Sequence, residues 1–301
     1  MVEEYVPDYV VMGHIAIDTN RFPQGVIESM LGGAPTYTGF ALASMGRKVG
    51  VVSKVGVDFT EMFPPIYGKL GVDTEGLLVS GEHTTAFENI YDERGNRRQF
   101  CRHIAPPLNP EDIPSSYLRA KGFYISPLLN EVPPETLRAL AKKTMIIMDP
   151  QGLFRRVEPD GSVSIRKDVD LKPYLENVDV VKIGKDEAKL VMDNPEYLLK
   201  KLCSMGPGVA ILTMGEDPVF LFHDGKMHTI NTLKVNPTDV TGAGDVFGGA
   251  FMVRYAETRD PVASARFACA AAGLKIRYRG PTGFPSYSEA INAVSAVAGY
   301  K

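Results

Sequence analysis

Short continuous apolar runs, separated by helix-type stretches along most of the chain, constrain the fold more than any other feature of this sequence. The strongest are Tyr9–Met12, Val49–Val55, Gly122–Ile125, Met145–Asp149, Val178–Ile183 and Val209–Thr213. Runs without polar alternation suit strands buried on both faces of a parallel sheet. Between them lie helix-type stretches at 35–45, 134–143, 185–192 and 197–205. Pro35 and Pro134 open two of these, where the missing N–H of proline is not needed. The last third turns helical, over 244–255, 261–277 and 288–297. Strands alternating with helices predict an α/β fold with a mostly parallel sheet.

Two stretches break the alternation. Residues 84–92 and 97–103 flank Glu93-Arg94-Gly95-Asn96, a hairpin turn signal inside β-type sequence. Residues 219–223 and 226–230 flank Asp224-Gly225 in the same way. The first hairpin carries Arg94, Arg97, Arg98 and Arg102, too much charge for a buried sheet, so we expect it to project as a lid. We read one domain over 1–301, with a lid built from segments near 14–31 and 84–106. Its exposed strands could pair with a second subunit to give a homodimer.

Composition removes several classes of function. With 33 basic and 36 acidic residues the net charge is −3, so the basic excess of a nucleic-acid binder is missing. The chain has no run of about 18 apolar residues, which argues against a membrane span. Cys101, Cys203 and Cys269 lie far apart without a CxxC pair, as expected in a reducing compartment. The N-terminus, MVEEYVPDYV, has acids where a signal peptide is basic. Asn236-Pro237-Thr238 is excluded as a glycosylation acceptor by its proline. Together these predict a cytoplasmic protein.

Common catalytic signatures are missing. Gly-Lys is never followed by Ser or Thr, no serine sits in a hydrolase elbow, and no histidine belongs to HExxH. What stands out is Asp239-Val240-Thr241-Gly242-Ala243-Gly244-Asp245, followed by a helix-type stretch. Gly-Ala-Gly at a helix start lets backbone N–H groups converge on an anion. An acid beside a bound phosphate would bind it poorly. Asp245 makes sense instead as a base for a hydroxyl that attacks phosphorus.

This heptad resembles the C-terminal signature of the PfkB, or ribokinase-like, carbohydrate kinases. Further segments match the family in order. Gly32-Gly33-Ala34-Pro35 resembles its N-terminal glycine pair, and residues 10–18 look like a first strand ending in the sugar-binding acid, Asp18. Residues 51–58 match the second strand and its G-x-D turn, Asp149-Pro150 a middle strand end, and Thr213-Met214-Gly215 the strand end near the nucleotide. The resemblance implies a three-layer α/β/α sandwich with a small β lid. It implies Asp245 as catalytic base, and Gly242, Ala243 and Gly244 as the anion hole. Asp18, Gly32, Gly33 and Tyr37 would face the acceptor, while Thr213 and Gly215 lie near ATP. Glu187 would organise Mg²⁺ through water. Some members also bind a monovalent cation such as K⁺, here near Asp239 and Thr241.

Two positions depart from the family. Gly184 stands where N-x-x-E has its asparagine, and Tyr37 replaces an amide after the glycine pair. With Gln151-Gly152, these are similar to branches acting on inositol-like or other non-ribose acceptors. A sugar or polyol is the first expectation for the acceptor, and a nucleoside the second. Arg97, Arg98, Arg102 and Arg155 raise a sugar phosphate as a third. From another class, the chain could be a ligand-binding regulator on a kinase fold, against which the intact Asp245 speaks.

Overall fold

The run Tyr9–Met12 is buried at every position, and its side chains divide between two cores. Tyr9 and Val11 point into one, Val10 and Met12 into the other, as a strand's alternation requires when both faces of a sheet are covered. The computed structural model describes residues 5–63, 66–94, 96–192 and 194–297. Glu3, Glu4 and the turn residue Gly95 lie outside them.

In chain order the strands begin with β1 (Tyr9–Met12), β2 (Ala16–Phe22), β3 (Gly25–Gly32), β4 (Val49–Val55), β5 (Val72–Asp73) and β6 (Leu77–Val79). Then come β7 (Thr85–Tyr91), β8 (Arg97–His103), β9 (Gly122–Ile125), β10 (Met145–Met148), β11 (Arg155–Val157) and β12 (Val163–Ile165). The last are β13 (Val180–Gly184), β14 (Val209–Met214), β15 (Asp217–His223) and β16 (Lys226–Ile230). Helices are α1 (Ala34–Ser44), α2 (Val57–Met62), α3 (Ile66–Lys69), α4 (Pro134–Leu140) and α5 (Lys172–Leu175). They continue with α6 (Lys185–Val191), α7 (Pro195–Cys203), α8 (Ala243–Thr258), α9 (Pro261–Lys275) and α10 (Tyr287–Val297).

The main sheet runs β16-β15-β14-β13-β10-β9-β1-β4-β5, with β6 also on β4. From β14 to β5 every pairing is parallel, and β15 and β16 close one edge as an antiparallel hairpin. Side chains of α1, α8, α9 and α10 cover one face, and those of α4, α5, α6 and α7 the other. This is the three-layer α/β/α sandwich that the alternation predicts.

A second sheet, β3-β2-β7-β8, stands apart from the main one. Its origin corrects the sequence reading of residues 10–18 as one strand. After Gly13, whose N–H still goes to Val52 O (3.2 Å), the backbone donors leave the ladder: the His14 N–H goes to Glu131 Oε1 (2.8 Å) and the Ile15 N–H to Ser53 Oγ (2.9 Å). Pairing in the main sheet therefore stops, and Ala16 starts β2. Asp18 lies inside this new strand, opposite Met30 of β3, with a register shift just after it. It does not end the first strand.

Candidate active site

Helix α8 starts from a glycine in the left-handed region. Gly242 has φ 73°, and a Cβ there would run into the Tyr37 ring. The approach to this turn is fixed by Asp239, whose two carboxylate oxygens accept the Thr241 N–H (2.9 Å) and the Gly280 N–H (2.8 Å). The Ala243 N–H goes to Val240 O (3.2 Å), closing the turn. Thr38 Oγ1 of α1 donates to Asp245 O (2.9 Å), which pins the first turn of α8. Gly249 then packs on Thr38 and Leu42, and Gly248 on the Tyr124 ring, closer than any side chain would allow.

Asp245 Oδ1 is shielded from solvent and makes no hydrogen bond among the described residues. Burial pushes its carboxyl up to about 7, against the opposing pull of the Lys182 ammonium. Lys182 itself is ion-paired with Asp149, at the end of β10, and lies beside Gly244. A lysine in the middle of the apolar run Val-Val-Lys-Ile was the sequence signal for this buried pair. Motif reading passed over it.

Asp18, in β2, is in the same condition. Its Oδ1 is buried and unpartnered, and burial raises its carboxyl to about 7, with Arg155 and then Arg97 pulling down. Gly32 is needed here, because a Cβ would sit 2.6 Å from Asp18 Oδ2. Gly33, at φ 84°, packs on His14 O and opens α1. The four arginines separate: Arg97, Arg98 and Arg102 are exposed, whereas Arg155 is drawn inward. Its guanidinium has only long contacts, to Leu128 O (3.4 Å) and Gln151 Oε1 (3.3 Å). Three amides share the strand face of Asp18: Asn89 donates to Asn20 Oδ1 (3.0 Å), and Gln99 to Asn89 Oδ1 (2.9 Å). Sequence reasoning missed this row, since its members are far apart in the chain.

Beyond Gly244 a cleft of about 410 Å³ opens, with Ala243 and Gly244 at its margin. Thr213 and Gly215, at the end of β14, line it together with Val219, Leu233, Phe247 and Ala272. Ligands of open α/β sheets commonly sit at such carboxyl ends of strands. Glu187, in the first turn of α6, is raised by burial and by the nearby Asp149. A Cβ on Gly184 would stand 2.6 Å from its Oε2, so the glycine at the asparagine position makes room for this carboxylate. Among the described residues no group of three or more His, Cys, Asp or Glu could hold a metal ion.

Comparison with known proteins gives the family. The sequence pattern of the pfkB family carbohydrate kinase matches residues 7–286. The cytidine kinase of Thermococcus kodakarensis is 29% identical over 259 residues, covering 84% of this chain and 90% of that protein. The inositol 3-kinase of Arabidopsis thaliana is 28% identical, over 82% of this chain and 68% of its own length. Among solved structures, a pyrophosphate-dependent kinase in the ribokinase family, complexed with a pyrophosphate analog and myo-inositol, has a TM-score of 0.80. It covers 95% of this chain and 99% of its own at 24% identity, a likeness of fold. A putative ribokinase II from E. coli, in complex with ATP and Mg²⁺, has a TM-score of 0.77 at 20% identity, over 96% of this chain and 99% of its own. With the match spanning nearly the whole length, the chain belongs to the pfkB family of carbohydrate kinases.

Proposed function

We propose that this kinase moves the terminal phosphoryl group of ATP to a hydroxyl of a small sugar or polyol, with Asp245 as the base. The observation that carries the reading is the unpartnered Oδ1 of Asp245 in the first turn of α8, beside Gly242–Gly244. A buried carboxylate without a partner is costly, so its persistence calls for a ligand that completes it. An acceptor hydroxyl donates to Asp245, which takes its proton as the oxygen attacks phosphorus. Phosphoryl transfer needs little else from a protein than positioning and charge. Gly242 and Gly244 supply the positive end of α8 to the transferring group, the Ala243 N–H between them being engaged with Val240 O. The Lys182 ammonium, beside Gly244, adds charge there.

The acceptor would bind through Asp18, with Gly32 and Gly33 allowing close approach and Tyr37 backing the loop. The apolar cleft at Thr213 and Gly215 suits the base of a nucleotide, which inorganic pyrophosphate would leave empty. Magnesium would enter with the nucleotide phosphates and screen their charge, and Glu187 is the carboxylate that would face it through water. The second sheet would act as the lid that excludes water. Exposed Val26, Ile27 and Ile90 on it support pairing with a second copy. We place the enzyme in the cytoplasm, on its three free cysteines. No helix among the described residues is long and apolar enough to cross a membrane.

A nucleoside acceptor is the second reading, favoured by the likeness to a cytidine kinase. The test is an ADP-release screen with ATP over inositols, hexoses, nucleosides and hexose phosphates, with a parallel pyrophosphate arm. The reading expects the highest kcat/KM for an unphosphorylated polyol or sugar. A higher value for cytidine, or turnover with pyrophosphate alone, would overturn the acceptor or the donor assignment respectively.

A further inference from the structure

The loop that ends in Asp245 is held from behind by a lysine. Lys275 closes α9, is 0% exposed, and its Nζ donates to Thr241 O at 2.6 Å. The same ammonium lies 5.1 Å from the centroid of the Tyr37 ring, within cation–π range. Burial holds its pKa below the ordinary lysine value, and the charges of Asp239 and then Asp245 oppose that. Lysines near helix C-termini can turn back on the last carbonyls of their own helix. This one reaches instead to a carbonyl across the site, one residue before Gly242.

That position is where the sequence led us to expect a monovalent cation. A potassium ion needs several oxygens to replace its hydration shell. Four oxygens around Asp239 and Thr241 already have partners. Asp239 Oδ1 and Oδ2 accept from Thr241 N and Gly280 N, and Thr241 O accepts from Lys275. Ile276 O, next to Lys275, accepts both Thr238 N (2.8 Å) and Asp239 N (3.0 Å). The donor set does not fit a free metal ion, because a protein ammonium and backbone N–H groups occupy it.

We propose that the Lys275 ammonium is a built-in replacement for the monovalent cation, holding Gly242–Gly244 in its phosphate-binding geometry so that turnover needs no added K⁺. Lys275 is a positioning residue that acts through Thr241 and touches no reactant. The proposal rests on the kinase reading of the loop for its consequence in turnover, though the occupancy of the site does not.

The experiment compares wild type, Lys275→Ala and Lys275→Met in tetramethylammonium chloride and in KCl or NH₄Cl at equal ionic strength. It reads melting temperature and kcat in each salt. Wild type is expected to show the same values in all three salts. Lys275→Ala, which leaves room for an ion, is expected to lose kcat by about 10²-fold in tetramethylammonium, the scale of a lost anion-hole donor. K⁺ or NH₄⁺ should restore at least about tenfold of that, roughly 1.4 kcal/mol, and raise its melting temperature. Lys275→Met keeps the stem in place and should be inactive without rescue. Activation of wild type by K⁺, or an alanine variant that is fully active without small cations or is lost without rescue, overturns the proposal. If the alanine variant does not fold, the salt response of wild type and the activity of Lys275→Met decide alone. If no acceptor is turned over by wild type, the melting-temperature pattern still tests occupancy, so the two readings fail separately.

Discussion

Asp18 and Asp245 have a carboxylate oxygen each that is buried and unpartnered, and burial raises both groups from an ordinary 3.8 to about 7. A base must be ionised to accept a proton, so activity should fall as pH drops below about 7. We expect kcat/KM to have an acid limb steeper than one proton, relaxing to one proton in Asp18→Asn. A pH–rate profile that is flat down to about 5 would contradict the burial of both groups. Stability runs the opposite way. A carboxyl with its folded pKa above the unfolded one contributes stability that is present below about 4 and lost as pH rises through about 7. Asp245→Asn should therefore melt no lower than wild type at pH 8, with the difference narrowing towards pH 4. A large drop in melting temperature at pH 8 would mean that Asp245 has a native partner.

At the scale of elements, the start of α8 is where conformation and packing meet. Gly242 is in the left-handed region at φ 73° and lies against Tyr37. Gly225, in the turn of the β15–β16 hairpin, has φ 75°, but a Cβ there would meet open space among the described residues. Alanine at either position meets the same backbone penalty, about 1 kcal/mol. Only at Gly242 does it also push on the ring behind the loop. We predict that Gly242→Ala lowers both melting temperature and kcat, whereas Gly225→Ala lowers melting temperature slightly and leaves kcat unchanged. Equal losses of kcat in the two variants would argue against the loop as the phosphate site. The elements legible from sequence share a cause: β1, β4, β9, β10, β13 and β14 are mostly apolar runs without polar alternation, broken only by Ser53, Lys54, Lys182 and Thr213, and α1 and α4 carry a proline in their first turn. Strands β2 and β3 were not legible, because their segment mixes Asp18, Asn20 and Arg21 with apolar residues and half of β3 is exposed. Strands β11 and β12, three residues each, are too short to carry a period.

For the whole molecule, the sandwich brings groups far apart in sequence to the carboxyl ends of its strands. Asp149 follows β10, Glu187 follows β13 and Gly215 follows β14, while α8 returns Asp245 to them. Motif order was enough to name these positions, since each motif is local. The contacts that complete the site were hidden for the opposite reason. Lys182 with Asp149, Lys275 with Thr241, and Asn20 with Asn89 and Gln99 are pairings set by tertiary packing and carry no local pattern. The central proposal is a division of labour across the molecule: acceptor at Asp18, nucleotide in the cleft at Thr213 and Gly215, and proton transfer at Asp245. The measurement that tests it most directly is a two-substrate initial-rate matrix, with ATP and the acceptor, on wild type, Asp18→Ala and Asp245→Asn. Asp18→Ala should raise the acceptor KM by about 10–100-fold, the worth of a hydrogen bond to a charged group, and leave the ATP KM unchanged. Asp245→Asn should leave both KM values nearly unchanged and lower kcat by about 10²–10⁴-fold, as expected for a positioned general base. An Asp245→Asn enzyme with kcat close to wild type, or an Asp18→Ala enzyme in which only the ATP KM moves, would contradict the account.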